Sequence, residues 1–161
     1  MTVATAPRGL GFWIATGGGL GLLKPAPGTW GSAGALVLGW FIVEAGGTIA
    51  LAIAALLATL AGVWAADTLA KQTGISDPSE VVIDEVAGQW IALLLVPHQW
   101  PWFLAAFALF RLFDIAKPGP IGWVDRNIKG GAGVMLDDLL AGAAATLLLW
   151  GLQPWITDVL A

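Results

Sequence analysis

The chain has 161 residues, enough for one domain with a single core. It is 58% hydrophobic and 11% charged with a mean hydropathy of +0.82, against about 25% charged residues in soluble domains, so it indicates a membrane protein. The formal charge of −4 excludes a nucleic-acid binder, which needs a basic face, and the absence of cysteine excludes disulfides and thiol nucleophiles.

The N-terminal stretch "MTVATAPRGLG" lacks the unbroken apolar core and cleavage site of a signal peptide and is expected to be retained as an interfacial segment. "GGGLGLLKP" does not qualify as a phosphate loop. Walker A requires glycine directly before the lysine and Ser or Thr after it, and the GxGxxG spacing also fails. Apolar segments then fall at about 31–43, 47–66, 81–96, 100–113 and 134–152, separated by prolines, glycines or charges. None alternates as a barrel strand does, so an all-α, polytopic membrane helix bundle of about five helices is expected over residues 1–161. Several segments are short against the ~20 residues a bilayer requires, which makes some of them partial or re-entrant crossings.

Local signals refine the segments. "PGTWGS" (27–32) opens the first, with Thr29 and Ser32 either capping the helix or binding a phosphate oxygen. Asp67 and Lys71 have the i,i+4 spacing of a surface pair. In "DPSE", Asp77 reads as N-cap, Pro78 as the first helical residue and Glu80 as capping-box partner. The third helix is then predicted over 78–96, ending at Pro97, with Asp84 and Glu85 in its second turn. Asp137 and Asp138 fall in the first turn or two of the last helix.

The seven basic residues, Arg8, Lys24, Lys71, Arg111, Lys117, Arg126 and Lys129, all lie before the first segment, between the second and third, or from the end of the fourth to the fifth. Five crossings with a cytoplasmic N-terminus place every one of them inside. Six of the ten tryptophans lie near segment ends, as an interfacial belt requires, and nine of the eleven acids lie between Asp67 and Asp138. The third and fifth helices run parallel in this topology, so their acid pairs sit at similar depth, and the fourth brings Arg111 and Asp114 to the same level. Gly88 follows Asp84, and Ala141, Gly142 and Ala145 follow Asp138, at helical spacing. Small faces let membrane helices approach, turning the acids toward neighbouring helices.

Helix-start chemistry accounts for one acid per helix, because a carboxylate there stabilises by about 0.3–1 kcal/mol. It does not account for adjacent pairs on two parallel helices, where like charges oppose joint ionisation. A divalent cation relieves that repulsion, and an all-oxygen set (Asp84, Glu85, Asp114, Asp137, Asp138) suits Mg²⁺, with Mn²⁺ or Ca²⁺ possible, over zinc. The loop 110–138 supplies Arg111, Lys117, Arg126 and Lys129 beside three glycines, a composition suited to phosphate. Its basic residues also satisfy the positive-inside rule with no ligand at all, and Lys117 and Arg126 have Asp114 and Asp125 as alternative partners. The one histidine, His98, lies in "PHQWP" on the outer side and is read as structural. With no Cys and no His near the acids, hydrolysis is left to a metal-activated water, with one unligated carboxylate as general base.

The segments "PGTWGS" (27–32), "DPSEVVIDEVAGQW" (77–90), "FRLFDIAKPGPIGWVD" (110–125) and "GGAGVMLDDLLAG" (130–142) together resemble the phosphatidylglycerophosphatase A family of bacterial membrane lipid phosphatases, in order and over most of the chain. The departures are conservative, such as Val134-Met135-Leu136 where the family tends to Ile-Met-Ile. The resemblance implies an all-helical fold and Mg²⁺-dependent hydrolysis of phosphatidylglycerophosphate, in the cytoplasmic leaflet of the bacterial inner membrane, to phosphatidylglycerol. Asp84, Glu85 and Asp138 are then the catalytic candidates, and Thr29, Ser32, Arg111, Lys117, Arg126 and Lys129 the phosphate-binding ones. No motif encodes the general base, the number of ions, the headgroup preference over phosphatidic acid or the oligomeric state. The alternative is a divalent-cation transporter or channel with membrane carboxylates, which requires acids spread across the bilayer. A lipid phosphotransferase of the CDP-alcohol type requires a DG…AR…G…D…D pattern that the chain lacks.

Overall fold

Glycine and proline divide this apolar chain into helices of unequal length. The computed structural model describes residues 8–76 and 78–160, with side chains as far as Trp155. The elements are α1 (Leu10–Ala15), a 3₁₀ segment (Gly17–Leu22), α2 (Pro27–Thr73), α3 (Ile83–Ala92), α4 (Trp100–Ala116), α5 (Pro120–Asn127) and α6 (Gly130–Leu160). No strand occurs among the described residues. The expected all-α bundle is therefore the observed fold. The expected fate of the N-terminal "MTVATAP" and the Asp77 cap lie outside the described residues.

The first two predicted segments merge into α2, which bends at Gly47, where φ is 70° and ψ −172°. Glycine takes that conformation without a Cβ clash. The bend folds α2 back on itself. A Cβ built on Gly31 would lie 2.7 Å from Val82 Cβ, and one on Gly62 would lie 3.2 Å from Ile83 Cγ2. In a straight helix those two glycines would be about 46 Å apart, yet both reach the start of α3. The arms before and after Gly47 are about 30 and 39 Å long. Two helices, α2 and α6 over Gly130–Trp155, are long and apolar enough to cross a membrane.

Alanines line many of the packed helix faces, and large aliphatic residues cover much of the outside. Ala55, Ala58, Ala65, Ala66, Ala106, Ala141 and Ala145 are buried, whereas Ile49, Ile53, Leu56, Leu57, Leu60, Leu104 and Leu147 are exposed. The core also takes Leu51, Leu69, Phe103 and Phe110, while the small residues let the helices approach closely. At the end of the bundle near the Gly47 bend, His98 lies 3.9 Å from Trp40, which stacks on Trp100 at 4.2 Å. The histidine is thus part of an aromatic cluster, consistent with a structural role.

The third helix departs from expectation. It begins at Ile83 and ends at Ala92, so Asp84 and Glu85 are first-turn residues and the helix is about 15 Å long. Tertiary contacts override the "DPSE" start signal. Val81 N–H closes a turn onto Pro78 O, and Val82 N–H donates to Ala15 O at 2.8 Å. Buried Val81 and Val82 are thereby tied to a turn on Pro78 and to the end of α1, and residues 78–82 are unavailable to the helix. At the other end the Leu95 N–H donates to Thr146 Oγ1 of α6, and the helix stops short of Pro97.

Candidate active site

Three helix starts meet at one end of the bundle. A cavity of about 390 Å³ opens there, lined by Pro27, Gly28 and Thr29 of α2, Asp84 and Glu85 of α3, and Gly130, Gly133, Asp137 and Asp138 of α6. α4 adds Arg111 and Asp114, and the α4–α6 connection adds Lys117, Asp125 and Lys129. All five candidate metal ligands therefore face one space.

Helix crossing sets their register. A Cβ on Gly88 would lie 2.6 Å from the Asp138 carbonyl oxygen, and a Cβ on Gly142 would overlap the Gly88 carbonyl. Backbone contact at that crossing brings the first turn of α3 beside Asp138. Asp67 adds a second constraint: its Oδ1 accepts the Gly131 N–H at 2.6 Å, tying the start of α6 to the second arm of α2. Asp67 thus serves an α6 amide, with no ion pair to Lys71 among the described residues.

Within the cavity the acids fall into two groups. Asp84, Glu85 and Asp138 each present a carboxylate oxygen within 4.8 Å of the other two. Asp114 and Asp137 are neutralised by neighbours. Arg111 Nη1 is 2.6 Å from Asp114 Oδ2 and 3.7 Å from Glu85 Oε1. Lys117 Nζ bridges Asp125 Oδ1, at 3.1 Å, and Asp137 Oδ2. Burial pushes the Lys117 ammonium down, but Asp137 and Asp125 outweigh it and hold the group well above the ordinary lysine value. Glu85 Oε2, Asp137 Oδ1 and Asp138 Oδ2 are buried without a hydrogen-bond partner.

The candidate phosphate ligands separate likewise. Thr29, Arg111, Lys117 and Lys129 line the cavity. Ser32 does not: it is fully buried, its hydroxyl donates to Gly28 O at 2.8 Å, and Arg111 Nη1 lies 3.4 Å from its Oγ. One helical turn separates Thr29 from Ser32, and only Thr29 is at the exposed mouth. Arg126 is exposed on α5 and outside the cavity lining.

Residues 13–153 match the family model of phosphatidylglycerophosphatase A. The chain belongs to that family. It is 40% identical over 144 residues to a phosphatidylglycerophosphatase A of Haemophilus influenzae, covering 89% of this chain and 88% of the relative. It is 37% identical over 138 residues to the Escherichia coli protein of the same name, covering 85% and 80%. A Bacteroides thetaiotaomicron protein provisionally named phosphatidylinositol-3-phosphatase is 44% identical over 154 residues, covering 89% and 93%. No solved structure matches this chain. The enzyme class of the phosphatidylglycerophosphatase A family, a phosphoric monoester hydrolase, is the one expected from the motifs.

Two polar residues of the family motifs stand out beyond the expected set, Asp125 in the cavity lining and Gln89 buried outside it. Asp125 lines the cavity and shares Lys117 with Asp137. Its pairing with Lys117 was one of the alternatives the sequence offered. Gln89 has no exposed surface, and neither atom of its amide has a partner. It stands one helical turn beyond Glu85 on the same face of α3. A glutamine inside an otherwise apolar run was the available signal.

Proposed function

We propose that this chain is a Mg²⁺-dependent phosphatase that hydrolyses the terminal phosphate monoester of phosphatidylglycerophosphate, releasing phosphatidylglycerol and phosphate at the cytoplasmic face of a bacterial inner membrane. The observation that carries the reading is the convergence of the Asp84, Glu85 and Asp138 oxygens at a cavity with a basic rim, in a chain of this family.

The donor set fits the ion. Carboxylate oxygens are hard ligands, and the unpartnered Asp138 Oδ2 and Glu85 Oε2 are groups whose burial is costly without a cation. Asp84, Glu85 and Asp138 would hold it, and when bound it supplies Lewis-acid charge to the phosphate and acidifies water. The protein groups do the positioning. Lys129, whose ammonium donates to the Asp125 carbonyl at 3.2 Å, stands at the rim to meet phosphate oxygens, with Thr29 opposite on α2. The N-termini of α2 and α6 add backbone N–H groups and positive dipole ends. Arg111, held by Asp114 and Glu85, keeps the carboxylates in place.

In the reaction an oxygen of water bonds to phosphorus as the bond to the glycerol oxygen breaks. A cavity carboxylate accepts the proton from water, and the leaving alkoxide takes up a proton to become the glycerol hydroxyl. Among the described residues the acids gather at one end of the bundle, apart from the exposed Glu44 near the Gly47 bend, an arrangement that does not provide the acid-lined path a cation channel needs.

The test is phosphate release from phosphatidylglycerophosphate by purified protein, with and without chelator. Phosphatidic acid and phosphatidylinositol 3-phosphate are assayed in parallel. Activity restored by Mg²⁺ and favouring phosphatidylglycerophosphate is expected; turnover that persists in chelator overturns the metal requirement, and preference for another lipid overturns the substrate.

A further inference from the structure

We propose that the chain holds a single divalent ion, on Asp84, Glu85 and Asp138, and that the Lys117 ammonium occupies the position a second ion would take between Asp125 and Asp137. The inference rests on the metal reading above and concerns the number of ions.

Hydrolytic two-metal sites set their ions about 3.5–4 Å apart and need carboxylates for both. The carboxylates available for a second ion are Asp114, Asp125 and Asp137, and each already has a cation. Arg111 holds Asp114 at 2.6 Å, and Lys117 Nζ stands between Asp125 Oδ1 and Asp137 Oδ2. With Oδ2 on Lys117, Asp137 has only Oδ1 left to offer a cation, and the ammonium already stands where an ion shared with Asp125 would sit. Asp138 is the contrasting case. It is 3% exposed, lines the cavity, and its Oδ2 has no partner, so it lacks the counter-charge its neighbour has.

The backbone explains how the lysine reaches that position. Lys117 is the C-cap of α4 in a left-handed conformation, φ 45° and ψ 55°, which costs an L-residue roughly 1–2 kcal/mol. The following Pro118 disfavours a further helical residue, so the chain turns and Lys117 spans from the end of α4 to α5 and α6. An ammonium between carboxylates of two different helices is geometrically what a bridging cation would be. It has one fixed charge and needs no metal supply.

Mn²⁺ serves as the probe, with the full-length protein purified in detergent. Equilibrium dialysis reads stoichiometry and electron paramagnetic resonance reads spin coupling. The wild type is expected to bind one Mn²⁺ per chain with an uncoupled six-line signal, and Asp138→Asn to lose it. Lys117→Met is expected to take up a second Mn²⁺ with a broadened, coupled signal, its first-site ion confirming that it is folded. Lys117→Arg, which retains the charge, is expected to stay at one. Two ions in the wild type, or one in folded Lys117→Met, overturns the proposal and leaves the metal reading standing. No Mn²⁺ in the wild type overturns the metal reading itself.

Discussion

Gly142 of α6 lies directly against the backbone of Gly88 in α3: neither position has room for a Cβ, because one on Gly142 would overlap the Gly88 carbonyl and one on Gly88 would lie 2.6 Å from the Asp138 carbonyl and from a Phe110 ring carbon. That contact sets the distance between the two helices that carry Asp84, Glu85 and Asp138. Packing and the carboxylate cluster therefore depend on the same two residues.

Gly142→Val is expected to destabilise the protein by about 1–3 kcal/mol through overpacking, and to lower metal affinity with it. Thermal melting and Mn²⁺ titration of one preparation check both. Gly151→Ala is the control: a Cβ there meets nothing within 4 Å, and helix propensity makes it neutral to stabilising by about 0.5–1 kcal/mol. Equal effects of the two substitutions would refute the role given to the crossing.

Asp138→Asn keeps the side-chain shape and removes the charge of the most buried ligand candidate. Turnover is expected to fall by at least about 100-fold while circular dichroism and gel-filtration profile stay unchanged. Near wild-type turnover would sink the assignment.

Arg111→Met should leave Asp114 and Glu85 without their shared cation, costing about 1–3 kcal/mol, less than breaking a fully buried ion pair. Adding Asp114→Asn to Arg111→Met should recover part of that loss, because one of the uncompensated charges is gone. Melting temperatures of the two singles and the double give the coupling; strict additivity would mean that the pair does not interact.

Thr29 and Ser32 should part company. Thr29→Val at the exposed mouth is expected to raise KM several-fold with little change in melting temperature. Ser32→Ala is expected to cost about 1 kcal/mol of stability, from its hydrogen bond to Gly28 O, with KM unchanged. Steady-state kinetics with melts distinguish them, and the reverse pattern would return Ser32 to the phosphate site.

Lys117 has a defined pH signature. Its pKa is raised in the fold, so its contribution to stability is complete below the ordinary lysine value of 10.5 and is lost as pH rises through the higher folded value. From pH 6 to 9 no limb of the activity profile should trace to it. Above about pH 10.5 the wild type should lose melting temperature more steeply than Lys117→Met. Parallel slopes would show that the ammonium is not held by its carboxylates.

Much of the arrangement was legible in the chain. Low charge and high hydropathy announced a helical membrane bundle, because only internally hydrogen-bonded helices or closed barrels suit that solvent and no segment alternates like a barrel strand. Charge placement and helix direction brought Asp84, Glu85, Asp114, Asp137 and Asp138 to one end, and small residues at helical spacing identified the packed faces. The start of α3 was not legible. "DPSE" carries a strong local start signal, yet the residues before Val82 close a turn on Pro78 and Val82 donates to Ala15, a contact across some 67 positions of sequence that no local pattern contains.

The sequence by itself determined which residues could form the site: its acids, cations and glycines, and the helices that present them, follow from composition, periodicity and charge. Only the tertiary structure decided how those groups are paired. Lys117 had phosphate, Asp114 and Asp125 as alternatives until folding set it on Asp125 and Asp137, Arg111 read as a phosphate cation until folding set it on Asp114, and Ser32 read as equivalent to Thr29 until packing buried it. Ion pairing falls steeply with distance, and the distances come from helix crossings made by residues far apart in the chain.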